Sequence, residues 1–232
     1  MKLLYILLFF LSFCNSEYKK FKNIPDNSKI NLPKSFDGDT VYYRDGFCLS
    51  YSEKWEQPKW IFYTLKKSDI NCSTKIKRKN YWFKNDYNIK TGSSTLEDYK
   101  NTGYDRGHLK PSADEGCDLN QMKETFLMSN MSPQLPDFNR YIWKNLESYV
   151  RKNLFNYDSI QIVTGGNLNE KLSCIGINKV GVPKHFYKVL IKFKNNTKTI
   201  ECFYLPNEKN KNFNDFKIKK EELEKIIKIK IN

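Results

Sequence analysis

Asp105-Arg106-Gly107-His108 constrains this chain more than any other stretch, because it places one of only two histidines directly behind an acid, an arginine and a glycine. An imidazole titrates near neutrality and takes a proton from water at physiological pH. An arginine two residues away stays charged, and its planar fork suits phosphate oxygens. The glycine between them lets the backbone pass close to a neighbour. Four residues alone are a weak signal. Further on, Ser129-Asn130-Met131-Ser132-Pro133-Gln134 leads into Phe138-Asn139, Trp143 and Leu146-Glu147, and the specificity lies in the whole set.

The spacing after Pro136 predicts a helix running to about Asn153, with Asp137 as its N-cap. Ile142, Leu146, Tyr149, Val150 and Leu154 form its core stripe. Asn139, Trp143 and Glu147 follow i, i+4, i+8 on a neighbouring stripe. Eight helical residues rise about 12 Å, too far for Asn139 and Glu147 to hold one ion directly. A water between Glu147 and the site is the more economical arrangement. Elsewhere, Val41–Tyr43, Phe47–Tyr51, Trp60–Leu65 and Ile160–Thr164 read as strands, and Phe186–Phe193 with Thr199–Leu205 as a hairpin around Asn195-Asn196. Residues 66–103 are polar and rich in turns, which marks them as surface for function rather than core. Lys217–Lys228 reads as an amphipathic terminal helix.

Lys and Arg number 40 against 26 Asp and Glu, a formal net charge of +14, which suits a polyanionic partner. The N-terminus reads as a secretion signal. Lys2 is the positive n-region, Leu3–Phe13 the apolar run, and cleavage is expected after Ser16. The run is too short to span a bilayer, so the expected location is secreted or periplasmic, with no stable membrane association after cleavage. Residues 17–232 show no linker, repeat or composition break and are expected to form one domain. Removing Cys14 leaves five cysteines. One or two disulfides with a leftover thiol are expected, and the sparse histidines and lack of a Cys-x-x-Cys pair argue against zinc.

Tyr104 to Leu109, Glu124-Thr125-Phe126, Ser129 to Gln134, Phe138-Asn139-Arg140 and Trp143 to Glu147 together resemble the DNA/RNA non-specific endonuclease family, the endonuclease G-like members of the ββα-metal (His-Me finger) nucleases. Gly46-Phe47, Val163 to Gly166, Val182-Pro183, Phe186 to Val189 and Leu205 to Asn207 resemble further landmarks, so the similarity runs from about residue 40 to 228. The resemblance implies an α+β fold with a central antiparallel sheet packed by helices. It implies a magnesium ion, or manganese in its place, held by Asn139. His108 would be the general base, Arg106 would stabilise charge on the phosphorane-like transition state, and Asn130 and Glu147 would complete the catalytic group. DNA and RNA are the implied substrates, cut to leave 5′-phosphates, and relatives occur as homodimers. Arg106, Arg140, Lys110 and Arg78 are the expected nucleic-acid contacts. Arg140 stands where many relatives carry glycine, and His185 is expected to be structural. A nucleic-acid-binding protein that has lost turnover is the alternative, and the retained His108 and Asn139 argue against it.

Overall fold

The computed structural model describes residues 32–232; the leader and the cleavage position expected after Ser16 lie outside the described residues. Seven strands form one sheet in the order Lys217–Ile218, Thr197–Pro206, His185–Lys194, Ser159–Gly166, Gln57–Leu65, Cys48–Ser52, Val41–Tyr43. Every neighbouring pair is antiparallel. The hairpin around Asn195-Asn196 is present, and both asparagines take positive φ, 47° and 61°. That is the type I′ geometry whose twist matches two antiparallel strands, and asparagine tolerates it better than most side chains.

Alternating side chains give the sheet two apolar faces. On one, Leu49, Ile61, Ile160, Ile162, Phe186 and Leu190 pack against Phe138, Ile142, Trp143, Leu146, Val150 and Leu154. On the other, Trp60, Phe62, Val163, Tyr187, Val189 and Ile191 lie under Leu223 and Ile227 of the helix Lys220–Ile227. This terminal helix starts later than its sequence pattern suggests. Lys217-Ile218 pairs with Cys202-Phe203 at the sheet edge instead.

A separate two-stranded ribbon carries the motif. Asp105–His108 pairs antiparallel with Met131–Gln134, in the register Arg106↔Pro133 and His108↔Met131. Shortly after, the chain turns helical, first as a π-helix over Phe138–Trp143 and then as an α-helix over Lys144–Leu154. This strand–strand–helix unit, with the larger antiparallel sheet, makes the architecture the α+β ββα-metal fold.

The expected N-cap at Asp137 is not there. Asp137 is already helical (φ −67°, ψ −31°) and its side chain caps nothing. The helix starts earlier because the Asn139 amide already bonds back to the Leu135 carbonyl at 2.9 Å. The π turn, a form concentrated at functional sites, offsets Asn139 from the Trp143 and Glu147 stripe that a regular helix would give.

One disulfide, Cys72–Cys117, closes a loop across 45 positions of sequence. Cys48, Cys174 and Cys202 are free thiols. Among the described residues no helix is long and apolar enough to cross a membrane.

Leu146 is fully buried where its helix Lys144–Leu154 packs on the sheet. Leu146→Ala should therefore cost about 2–5 kcal/mol by loss of packing and cavity formation. Tyr141→Ala, at a side chain 60% exposed on the same helix, should stay within about 0.5 kcal/mol of wild type. Urea unfolding midpoints at unchanged slope measure both, and equal losses would contradict this packing.

Candidate active site

His108 ends its strand with its side chain buried between two aromatic rings. Phe126 meets it edge-on at 5.2 Å and Phe83 lies at 5.5 Å. Its carbonyl accepts a hydrogen bond from the Trp143 indole at 3.2 Å, which ties the strand to the helix. Its Nε2 is buried and has no hydrogen-bond partner among the described residues. Burial, with the nearby Arg78 cation, lowers its pKa from the usual 6.5 to about 3. The imidazole is therefore neutral at any pH well above that value. Arg106, two residues earlier, places its guanidinium 4.7 Å over the Phe83 ring and leaves its buried Nε unpartnered.

Asp105 has a role that sequence spacing does not reveal. Its Oδ2 accepts from Asn139 Nδ2 and from Arg140 Nε, each at 2.9 Å, and its Oδ1 accepts from Arg140 Nη2 at 2.7 Å. Burial disfavours the Asp105 charge, but the bonds from Arg140 and Asn139 outweigh it and hold the carboxyl below its ordinary range. The amide of Asn139 is thereby fixed by its nitrogen, and its oxygen has no protein donor among the described residues. A carbonyl oxygen held in this way suits a hard divalent cation that keeps most of its waters. Among the described residues no three His, Cys, Asp or Glu side chains converge to build a cage for a metal, so the donor set fits that kind of ion rather than a protein-enclosed one.

Glu147 lies further along the helix, over a buried polar layer. Lys188 projects from the central strand, fully buried, with its ammonium 4.4 Å over the Trp143 ring. Asp114 accepts from Arg151 at 2.9 Å and from the Tyr63 hydroxyl at 3.0 Å. Burial pushes the Glu147 carboxyl up, opposed chiefly by Lys188 and also by Arg151 and Arg78. Burial likewise pushes Lys188 down, opposed by Glu147. Arg78, exposed on its short helix, thus acts electrostatically on both His108 and Glu147.

Two expected site residues serve other ends. Lys110 is not a phosphate contact. It is 1% exposed, ion-paired to Glu115 and bonded to the Gly46 carbonyl, because the chain leaving His108 turns it inward. Asn130 is expected to be catalytic, yet its side chain is wholly committed to backbone. It donates to the carbonyls of Lys110 (2.9 Å) and Thr125 (2.8 Å) and accepts from Lys110 N at 2.9 Å. It is a positioning residue that fixes the strand end holding His108. Arg140 is exposed, but its inner edge is spent on Asp105. His185 accords with the structural expectation: it stacks on Tyr204 at 4.7 Å and pairs with Glu170 at 2.8 Å. Sequence reading missed Phe83 and Phe126 as the walls around His108, although Phe126 stands inside a motif it singled out.

The sequence profile of the DNA/RNA non-specific endonuclease family matches residues 26–232. A nuclease of Syncephalastrum racemosum is 30% identical over 204 residues, covering 78% of this chain and 64% of that protein. The human mitochondrial nuclease EXOG is 31% identical over 196 residues, covering 77% of this chain and 53% of that protein. A crystal structure of an EndoG/EndoGI complex superposes with TM-score 0.79 at 29% identity, over 83% of this chain and 85% of that one. The chain belongs to the DNA/RNA non-specific endonuclease family. It spans between about half and two-thirds of the length of these curated relatives.

With only two histidines, the state of His108 is open to direct titration. Carbon-13 and proton shifts of its ring, followed from pH 8 to 4, should hold at the neutral values throughout, since its pKa is lowered to about 3. A midpoint near 6.5 would mean that the ring is solvated rather than buried.

Proposed function

We propose that this chain is an exported, metal-dependent endonuclease that hydrolyses phosphodiester bonds of both DNA and RNA. The observation that carries the reading is a neutral His108, set two residues from Arg106 and in the field of Arg78, in a chain of the DNA/RNA non-specific endonuclease family. The neutral ring is the protonation state a general base needs.

The residues divide the task as follows. Arg106 and Arg78 draw in the phosphate, and its negative charge offsets the cation that helps depress His108, so the imidazole becomes more basic as substrate binds. His108 takes a proton from the attacking water as the water oxygen bonds to phosphorus. The bond from phosphorus to the 3′ oxygen breaks and that oxygen takes a proton from solvent water, leaving a 5′-phosphate and a 3′-hydroxyl. Arg106 stabilises the negative charge that gathers on the equatorial oxygens. Asn139 Oδ1 would hold a magnesium or manganese ion, with Asp105 keeping the amide in place and Glu147 receiving one of the ion's waters. When bound, the ion supplies Lewis-acid neutralisation of the phosphate and leaving oxygen. Arg106, Arg78 and the ion all address phosphate, so the cut itself requires no reading of sugar or base identity.

Export is supported by the leader expected over 1–16 and by the Cys72–Cys117 disulfide, a bond that persists in oxidising compartments. Residues 17–232 would then be the mature catalytic domain. Plasmid DNA and RNA, each incubated with magnesium and with a chelator, test the reading: both should be cut with magnesium and neither with chelator. His108→Ala should lower turnover at least about 100-fold with nucleic-acid affinity largely kept. Asn139→Ala should lose its response to magnesium. Cleavage that survives chelation, or wild-type turnover in His108→Ala, would overturn the proposal.

A further inference from the structure

The chemistry above uses the stretch from Cys72 to Asn85 only through Arg78 and Phe83, yet the composition and placement of that stretch are unusual. Lys75, Lys77, Arg78, Lys79 and Lys84 all reach solvent, and no acid occurs between Asp69 and Asp86. None of the five cations pairs with a described carboxylate. The stretch is nevertheless fixed in place. Cys72 is bonded to Cys117, Ile76 N donates to Gly116 O at 2.9 Å, Lys84 N donates to Phe126 O at 3.0 Å, and Met128 N donates to Lys84 O at 2.8 Å.

The arm's inner face builds the active site and its outer face is bare. Tyr81 and Phe83 both pack on Phe126, at 6.1 and 5.6 Å, and Phe83 touches His108 and carries Arg106. Trp82, between them, is 77% exposed. A large indole open to water, one residue from the Phe83 ring that packs on His108 and flanked by unpaired cations, has the two parts of a single-strand subsite. Ammonium groups track the phosphates, and a flat aromatic face stacks on a base. A duplex shows a protein its base edges and hides the base faces within its own stack, so the free indole face favours an unpaired base.

We infer that the arm 75–84 is a binding subsite for single-stranded nucleic acid, in which Trp82 stacks on a base beside the scissile phosphate and Lys75, Lys77 and Lys79 hold flanking phosphates. The inference rests on the nuclease reading for its geometry relative to the cut. It makes the enzyme discriminate by strandedness while remaining indifferent to sequence and sugar.

The test uses the full mature chain with Trp82→Ala, Trp82→Phe and a triple variant combining Lys75→Ser, Lys77→Ser and Lys79→Ser, each checked for unaltered thermal unfolding. Cleavage kcat/KM is measured on a fluorescent single-stranded oligonucleotide and on its duplex. Binding of both is measured by anisotropy in a His108→Ala background. Trp82→Ala should lower single-strand kcat/KM and affinity by about tenfold and duplex values no more than about threefold, and Trp82→Phe should recover most of the deficit. The triple variant should flatten the dependence of log affinity on log salt by about two units for single strands, near 0.7 for each phosphate no longer neutralised. Equal losses on both substrates would instead make Trp82 a wedge into duplex, and no loss on either would leave the arm without a substrate role; both overturn the inference. A wild-type chain that binds single strands through Trp82 but cuts nothing would refute the nuclease reading and leave the subsite standing.

Discussion

The hydrogen bond from the Trp143 indole to the His108 carbonyl joins the two halves of the site. It crosses from helix to ribbon at the residue whose side chain must be held, and it is buried, where such a bond is costly to lose. Trp143 is itself set by Phe138 and Phe186, at 5.4 and 5.8 Å, and by the Lys188 ammonium over its ring. The position of the imidazole is thus referred to the central sheet rather than to a loop. A second tie, from Asp105 to Asn139 and Arg140, fixes the other end of the same strand to the start of the same helix. Two short bridges therefore hold the proposed base and the proposed ligand on one rigid frame.

This frame places charges where water is scarce. His108 is kept neutral, and that has a cost with a definite sign. Its folded pKa is about 3 against an ordinary 6.5, so the stability associated with the neutral ring is present above 6.5 and is lost as pH falls toward 3. Burial likewise opposes the charges of Glu147 and Lys188, which answer one another across the polar layer under the helix. Groups held against their solution preferences in this way concentrate at catalytic sites. The layer is finished by Arg151, Asp114 and Tyr63, whose mutual bonds keep its other members paired.

Much of this is legible in the chain, and the parts that are not have a common cause. Period-two and period-3.6 patterns locate the principal strands and the helix after Pro136, and Asn195-Asn196 marks its hairpin turn because asparagine tolerates positive φ better than most side chains. The order His108, Asn139, Glu147 points to the ribbon and helix. What escapes depends on contacts between distant loops. Lys110 looks like a free cation until Glu115 and Gly46 enclose it. Asn130 looks catalytic until its amide is seen spent on Lys110 and Thr125. Asp137 has the right chemistry for a cap, but a helix that starts earlier leaves it nothing to cap. Phe83 and Phe126 lie 43 residues apart in sequence, and no local pattern announces that they sandwich the imidazole.

The proposed chemistry turns on one neutral imidazole, held at the end of the ribbon, removing the proton from the attacking water. Taking that ring away should leave a cavity of its own shape between Phe83 and Phe126 and leave the rest of the frame intact. The direct measurement is therefore chemical rescue: single-turnover cleavage of plasmid DNA by the His108→Ala protein as free imidazole is added. A general base at His108 requires a low starting rate that rises with imidazole and saturates, while the wild-type rate stays flat over the same range. A variant that gains nothing from imidazole while binding DNA and magnesium normally, or one that cuts at the wild-type rate without it, would rule out that role for His108.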